Sequence, residues 1–375
     1  MSIPQKNINV YAPLGLTGYG ITSVNIIKGL NQIQDLQVNI FPIGQQMHVN
    51  DDNEKKILEK GLTNARFPNS SAPCLKIWHQ YDLSSRIGDG HYYAFPFFEV
   101  DQLKDFETHQ LNNCHGVFVA SKWAKRILIN NGVTVPIYIA PLAVDTTVFK
   151  TPAKIRTSAP YTFFNIGKWE VRKAHDFLLQ AFDNAFTEHD NVELRLLPSN
   201  PFLSQEENQQ WMNLVGRCKL KDKIKILPRL ATQHDVAAFI FDGDCGIYPS
   251  RAEGWNNEIL ETMALNRPII TTNYSAHTEY CTKDNSYLID IDELEVANDG
   301  KWFNGFGKWA KLGQKQFEQT IQHMRYVYNN NIRTNEAGLE TCKSFTWSNT
   351  ANIIHQSLMK NNSYYANSTK KTKRR

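Results

Sequence analysis

The sequence contains no run of eighteen apolar residues, the least that would read as a membrane-crossing helix. Its first residues, MSIPQKNINV, lack the basic and apolar regions of a secretory leader, so the chain is expected to be cytoplasmic. Cysteine is sparse, at positions 74, 114, 218, 245, 281 and 342, and never spaced as Cys-x-x-Cys. That excludes a zinc ribbon and a thioredoxin-type motif, and it reads as scattered, reduced, buried thiols. An excess of one charge sign is nearly lacking too: 41 Lys and Arg stand against 37 Asp and Glu, a net of +4. The last six residues, Lys370 to Arg375, hold five positive charges, so the rest of the chain is close to neutral. A basic nucleic-acid-binding fold is excluded on that ground, and only the tail is left to touch something anionic.

What is present is ordinary globular composition, 41% hydrophobic and 21% charged over 375 residues. At roughly 100–200 residues per domain this length suggests two domains, with three as the alternative. Short apolar runs at 7–14, 36–43, 75–78, 116–120 and 137–141 read as strands, and so do 161–166, 192–197, 224–227, 245–248 and 269–272. Between them lie helix-spaced segments such as 122–130, 174–185, 205–217 and 236–240, with further helices expected over 309–328 and 349–359. Strands that alternate with helices in this way form parallel sheets covered on both faces. The Pro-flanked polar stretch 150–160 reads as a linker. The expected architecture is therefore α/β: two Rossmann-like, doubly wound domains, 1–150 and 151–345, facing a cleft. A helix over 346–360 is expected to pack back on the first domain, and 361–375 to be a disordered basic tail.

Ligands bind such sheets at the carboxyl ends of the strands, so chemistry is sought directly after them. Gly15-Leu16-Thr17-Gly18-Tyr19-Gly20 follows the first strand and opens a helix. A glycine-rich turn there lets backbone amides approach a phosphate, although the order is not that of a dinucleotide fingerprint. Gly167-Lys168-Trp169-Glu170-Val171-Arg172-Lys173-Ala174-His175 places three cations at a helix start, where the macrodipole disfavours them. An anion between them and the helix explains the misfit, and a diphosphate suits it. Tyr248-Pro249-Ser250-Arg251-Ala252-Glu253-Gly254-Trp255-Asn256-Asn257-Glu258-Ile259-Leu260-Glu261 follows another strand. Asn256 or Asn257 caps the next helix; Glu253 lies in the loop, and Glu258 and Glu261 share a helix face. Asp242-Gly243-Asp244 spells a metal-binding D-x-D, but it leads into a strand and reads as structural, so no metal is expected.

The spacing of Glu253 and Glu261, E-x7-E, stands between YPSRAEGW and MALNRPIITTNYSAHTEY. This pattern resembles the retaining glycosyltransferases of family 4, which have the GT-B fold. Pro141-Leu142-Ala143-Val144-Asp145, with Val148-Phe149-Lys150, is similar to another of the family's motifs. The loops at 167–176 and 15–20 resemble its phosphate-binding and N-terminal glycine loops, and the match spans about residues 8 to 360. Ala143 and Ala174 stand where the family has Gly, and Asn257-Glu258 where it often has Leu-Pro.

The resemblance implies roles. Glu261 would bind the ribose hydroxyls of a nucleotide and Glu253 those of the donor sugar. Lys168 and Lys173, with Arg172, would neutralise the diphosphate. His79 would lie near the transferred sugar, and Glu99 on the acceptor side. Gly18, Gly20, Trp255, Asn256 and Asn257 complete the expected donor-binding set, with Tyr274 a further candidate for the pocket. The implied activity is transfer of a sugar from a nucleoside-diphosphate sugar, a UDP-sugar placed ahead of a GDP-sugar, with no cofactor. The acceptor is left open between a glycan and DNA carrying a hydroxylated base, reached through the basic tail 370–375. A sugar-nucleotide epimerase of the same fold and a non-catalytic nucleotide-sugar-binding protein are the rival readings.

Overall fold

The computed structural model describes residues 6–151 and 160–372, with side chains given through Lys360. Two compact units result. The first comprises residues 1–98, 103–143 and 345–375; the second comprises residues 99–102 and 144–344. They divide at Ala143–Val144 rather than in the Pro-flanked stretch 150–160, of which residues 152–159 lie outside the described part. Thr151 is already tied into the second unit, its hydroxyl donating to the Ala264 carbonyl at 2.8 Å.

In the first unit β1 (Lys6–Leu14), α1 (Gly18–Asn31), β2 (Leu36–Met47), α2 (Asp52–Asn64), β3 (Cys74–Lys76), β4 (Tyr92–Ala94), α3 (Asp105–Asn112), β5 (Gly116–Val119), α4 (Lys122–Asn130) and β6 (Ile137–Ile139) follow one another. The strands pair in parallel in the order β2-β1-β3-β4-β5-β6. Both faces are covered, so successive residues with opposite orientations, Ile8, Asn9 and Val10 in β1 and Val117, Phe118 and Val119 in β5, are all buried. The edge position of β2 lets it carry Pro42 and run on past the expected Ile43. Strand β4 has only three residues, and α2 and α3 are rich in polar side chains, so none of the three stands out in the sequence.

The strand order reverses between β1 and β3, and the Gly15–Gly20 turn sits beside that reversal. Gly20 is needed there: a Cβ would lie 1.9 Å from the Gly15 carbonyl oxygen.

The second unit runs β7 (Tyr161–Ile166), α5 (His175–Ala185), β8 (Val192–Leu197), α6 (Gln205–Gly216), β9 (Ile224–Ile226), α7 (Gln233–Asp242), β10 (Cys245–Tyr248), α8 (Asn257–Ala264), β11 (Ile269–Thr272) and β12 (Tyr287–Ile289). Its parallel order, β12-β11-β10-β7-β8-β9, is that of a doubly wound nucleotide-binding sheet. The reversal lies between β7 and β10, which pair at Cys245–Phe163 and Gly246–Phe164.

An antiparallel hairpin of β13 (Leu294–Asn298) and β14 (Asn304–Ala310) follows, then α9 (Gln314–Asn329) and α10 (Glu336–Cys342). The helix expected over 309–328 therefore begins later. Trp309 and Ala310 end a strand, and Gly313 stands at the N-cap of α9. The last helix, α11 (Trp347–Thr372), continues past the Asn361 limit set from composition and belongs to the first unit. It lies tightly on α1, where a Cβ on Gly29 would come within 2.7 Å of the Trp347 carbonyl oxygen.

Within the Asp242-Gly243-Asp244 motif, Asp244 is fully buried. It accepts the Thr162 amide at 2.7 Å and pairs with Arg333, while Asp242 pairs with Arg195 at 2.7 Å. Both carboxylates are spent on the protein itself. Replacing Asp244 strands a buried partner, so Asp244→Ala should lower stability by about 3–5 kcal/mol. Asp242→Ala, at an exposed pair, should cost below about 1 kcal/mol. Thermal or urea unfolding of the two variants checks the contrast.

Candidate functional site

The loops after β7 and β10 emerge side by side at the reversal of the second sheet. Their charged side chains meet there. Glu253 places one carboxylate oxygen 2.6 Å from Arg172 Nη1 and the other 2.8 Å from Lys173 Nζ. Arg172 Nη2 also reaches Glu170 at 2.9 Å, and Lys168 pairs with the other Glu170 oxygen at 2.8 Å. Arg172 Nη1 donates as well to the Ala252 carbonyl at 2.8 Å. The cations expected to await an anion thus already hold two carboxylates, because the sequence that supplies them also supplies Glu170 and Glu253. Glu170, Arg172, Lys173 and Glu253 are all buried, and Lys168 is partly exposed.

Local backbone shapes this arrangement. Ala174, the N-cap of α5, has φ 58°, a left-handed conformation that costs a residue with a Cβ about 1–2 kcal/mol. The Gly of the resembling family fits that position without strain. Asn256 is the N-cap of α8, but at φ 77° and without a side-chain capping bond. Its Nδ2 instead meets His277 Nε2 at 3.1 Å, so the first turn of α8 is left without the side-chain cap expected of it. The loop is fixed from behind: the Glu253 amide donates to Ser275 Oγ at 2.9 Å, and the Tyr280 hydroxyl donates to the Trp255 and Asn256 carbonyls at 2.5 and 3.0 Å. Trp255 itself is buried against the Tyr280 ring, with centroids 4.8 Å apart, and serves packing. Asn257 Oδ1 is buried and has no hydrogen-bond partner.

The segment that builds this constellation, residues 160–299, matches the family model described as glycosyl transferases group 1. Residues 160–299 are a glycosyltransferase domain. Two curated relatives agree in kind. An uncharacterized glycosyltransferase of Methanocaldococcus jannaschii is 25% identical over 159 residues, 42% of this chain and 35% of the relative. An uncharacterized glycosyltransferase of Haemophilus influenzae is 24% identical over 141 residues, 37% of this chain and 38% of the relative. The chain spans little more than a third of the length of these relatives. Solved structures cover it far more fully. A sucrose-phosphate synthase from Thermosynechococcus elongatus matches with TM-score 0.70 at 13% identity, over 96% of this chain and all of that one. Anabaena HepE in complex with UDP-glucose matches with TM-score 0.65 at 12% identity, over 94% of this chain and 99% of that one. At such identities the likeness shows the fold: two parallel-sheet Rossmann-like domains of the GT-B kind.

Within the glycosyltransferase domain the two expected ligand carboxylates differ electrostatically. Burial alone would raise the Glu253 carboxyl, but Arg172 and Lys173 outweigh it and hold the group well below the usual carboxylate range. Glu261 is buried with no cation facing it; burial, and then the neighbouring Glu258, push it well above that range. Half-buried Glu99 belongs to this unit and is raised by burial, with Arg172 the nearest opposing charge. Buried His277 and His175 are pushed down to about 4 and about 3 by desolvation, so both are neutral at pH 7. Arg251 donates to the Val171 carbonyl at 2.5 Å and pairs with Glu295 at 3.1 Å, binding the two loops to the hairpin. Glu170, Arg251, Ser275 and His277 escaped the sequence reading, although HTEY and SRAE were in view. Tyr274 packs partly buried beside Ala252 and Trp309.

The first unit holds the remaining candidates at the carboxyl edge of its sheet. Gly18 and Gly20 lie in the opening turn of α1. His79 is enclosed by aromatic rings: Tyr19 at 4.7 Å, Trp78 at 4.8 Å and Tyr81 stacked at 4.8 Å. Tyr19 is fixed in turn by the Phe97 amide, which donates to its hydroxyl at 2.9 Å. Side chains of the tail 370–375 lie outside the described residues. No helix among the described residues is long and apolar enough to cross a membrane.

Glu261 provides a direct test. Its folded-state affinity for a proton exceeds the unfolded one, so its contribution to stability is complete below the ordinary carboxylate range and is lost as pH rises. Glu261→Gln should therefore raise the melting temperature at pH 7, and the gain should shrink toward pH 4. If Glu261 takes the ribose hydroxyls, as the resemblance implies, the same variant should bind nucleoside diphosphate about tenfold more weakly. Calorimetric scans across pH, with nucleotide titrations, measure both.

Proposed function

We propose that the chain is a nucleotide-sugar-dependent glycosyltransferase that retains anomeric configuration and needs no metal ion. The observation that carries this reading is the pair of buried carboxylates on a group 1 glycosyltransferase domain, one gripped by two cations and one with none. The uncompensated Glu261 is suited to accept hydrogen bonds from ribose hydroxyls. Glu253 is suited to the hydroxyls of the donor sugar. Lys173 and Lys168 face the diphosphate, whose negative charge substitutes for part of their carboxylate contacts. Arg172, with Ala252 and two carboxylates already bound, is a positioning residue. The first-turn amides of α8 add positive potential without a proton to lose. His79 retains its assignment beside the transferred sugar.

In the reaction the bond from the sugar's anomeric carbon to the diphosphate oxygen breaks, and its electron pair stays on the phosphate. The acceptor oxygen bonds to the same face of that carbon, and its proton passes to the departing phosphate oxygen. Glu253 is tied by two cations and is a weak nucleophile, which favours this front-face course over a covalent intermediate. Metal independence follows from the lysines and amides taking the role of a divalent ion at the diphosphate. A UDP-sugar is the first donor to try, in keeping with the UDP-glucose held by the similar Anabaena protein. The acceptor is a glycan, or DNA with a hydroxylated base if the tail 370–375 takes part.

Purified protein incubated with UDP-glucose, UDP-N-acetylglucosamine and GDP-mannose should release nucleoside diphosphate from one of them, and EDTA should leave the rate unchanged. Lys173→Ala and Glu253→Ala should each lower that rate by about a hundredfold or more. Full activity in both variants sinks the site assignment, and inversion at the product's anomeric carbon sinks retention.

A further inference from the structure

The tip of the β13–β14 hairpin meets the loop before α6, and two large rings stay half-exposed there. Phe202 and Trp302 are each 50% exposed and form an edge-to-face pair, centroids 6.0 Å apart. A lone exposed ring needs no explanation, but this pair sits on a built support. Asp299 accepts the amides of Lys301, Trp302 and Phe303 on one oxygen, at 2.9, 2.7 and 2.8 Å. Its own amide closes the turn on the Phe303 carbonyl at 2.8 Å, beside left-handed Gly300. Lys301 then fastens the tip to the neighbouring loop through the Phe202 carbonyl at 3.0 Å and Glu207 at 2.6 Å. Its ammonium also lies over the Trp302 ring, at 5.5 Å, while the Lys168 ammonium lies over Phe202, at 5.3 Å. Ordering all this still leaves half of each residue in solvent, so core packing alone does not account for it. The glycosyl transferases group 1 match ends at residue 299, before Lys301 and Trp302.

We propose that Phe202 and Trp302 form a stacking platform for a sugar ring of a neutral oligosaccharide acceptor. The inference rests on the glycosyltransferase reading above. Charge decides the occupant. Lys301 is paired with Glu207, and Lys168 is held by Glu170, which it shares with Arg172, so both ammoniums beside the rings are engaged by carboxylates and offer no cationic track for a phosphate backbone. What the patch offers is the half of the two aromatic residues that the ammoniums and the edge-to-face contact leave exposed, bordered by polar and charged groups. A pyranose has the matching form: one face of weakly positive C–H groups that lies on an aromatic ring, and a rim of hydroxyls for the ions beside it. Single-stranded nucleic acid would also stack, but it calls for a cationic groove that these ion pairs do not leave.

The test is calorimetric titration of the full chain with maltohexaose, cellohexaose and chitohexaose, alongside a 24-nucleotide oligothymidylate and UDP. At least one hexasaccharide should bind, and Trp302→Ala should weaken it roughly five- to tenfold, with Trp302→Phe restoring most of the affinity. UDP affinity should remain within about twofold in Trp302→Ala, which also reports that the variant is folded. Three outcomes overturn the platform: no binding of any hexasaccharide, equal binding by Trp302→Ala, or Trp302-dependent binding of the oligothymidylate alone. The glycosyltransferase reading fails separately, if UDP and nucleotide sugars neither bind nor turn over while hexasaccharide binding stays Trp302-dependent.

Discussion

The second unit is organised around one carboxylate. Glu253 joins the loop after β7 to the loop after β10 by taking Arg172 on one oxygen and Lys173 on the other. Without it, buried Lys173 would lose the carboxylate it pairs with and buried Arg172 would keep Glu170 as its ion-pair partner, and an unmatched buried charge costs several kcal/mol. With it, the cations are held close together where they would otherwise repel one another. The same bonds that fasten the two loops therefore concentrate positive charge beside one carboxylate. The opposite treatment of Glu261 completes the asymmetry: one acid is satisfied by two cations, and the other is buried beside Glu258 and held well above the usual carboxylate range.

The rest of the unit supports that carboxylate from two sides. Behind it, Ser275 takes the Glu253 amide, and neutral His277 lies between Asn256 and the hydroxyls of Thr271 and Thr272. A protonated His277 would compete with Lys173 and Arg172, and burial prevents this at neutral pH. In front, the hairpin accounts for Arg251, whose carbonyl accepts the Ala310 amide at 3.0 Å and whose side chain spans Val171 and Glu295. The strand order brings the loops together, and these flanking bonds keep them at a fixed height.

Much of this was legible in the sequence because parallel α/β proteins place chemistry after strands. The apolar runs located the strands of both sheets except β4 and β12, and the motifs at 167–176 and 248–261 fell on the two loops that the sheet reversal makes neighbours. What could not be read was the partner of each charge. Three cations at a helix start looked like a vacancy for a ligand, yet Glu170 stood among them and Glu253 lay eighty residues away, brought near only by the pairing of β7 with β10. The hairpin escaped for a different reason: Trp309 and the polar residues after it mimic a helical period, and the turn is set by Asp299 and Gly300 through bonds that periodicity does not encode. Asn256 was placed correctly at the start of α8 but not in its left-handed backbone, which turns its side chain away from the helix and onto His277.

Residues 99–102 belong to the second unit although the chain on either side of them belongs to the first. Val100 packs against the cluster of Ala252, Ala297 and Trp309, and a Cβ on Gly307 would come within 2.8 Å of it. The Asp101 amide donates to the Lys308 carbonyl at 3.3 Å, and the Asp101 carboxylate accepts the Lys308 amide at 2.7 Å. Four residues from within the stretch of chain that builds the first unit therefore finish the wall behind the loop that bears Glu253. In genetic terms the two units are interleaved rather than consecutive. A fragment cut at the obvious boundary would carry both charged loops of the second unit and still lack part of its own core, so inheritance or exchange of that unit as a single cassette would have to bring this short strip along.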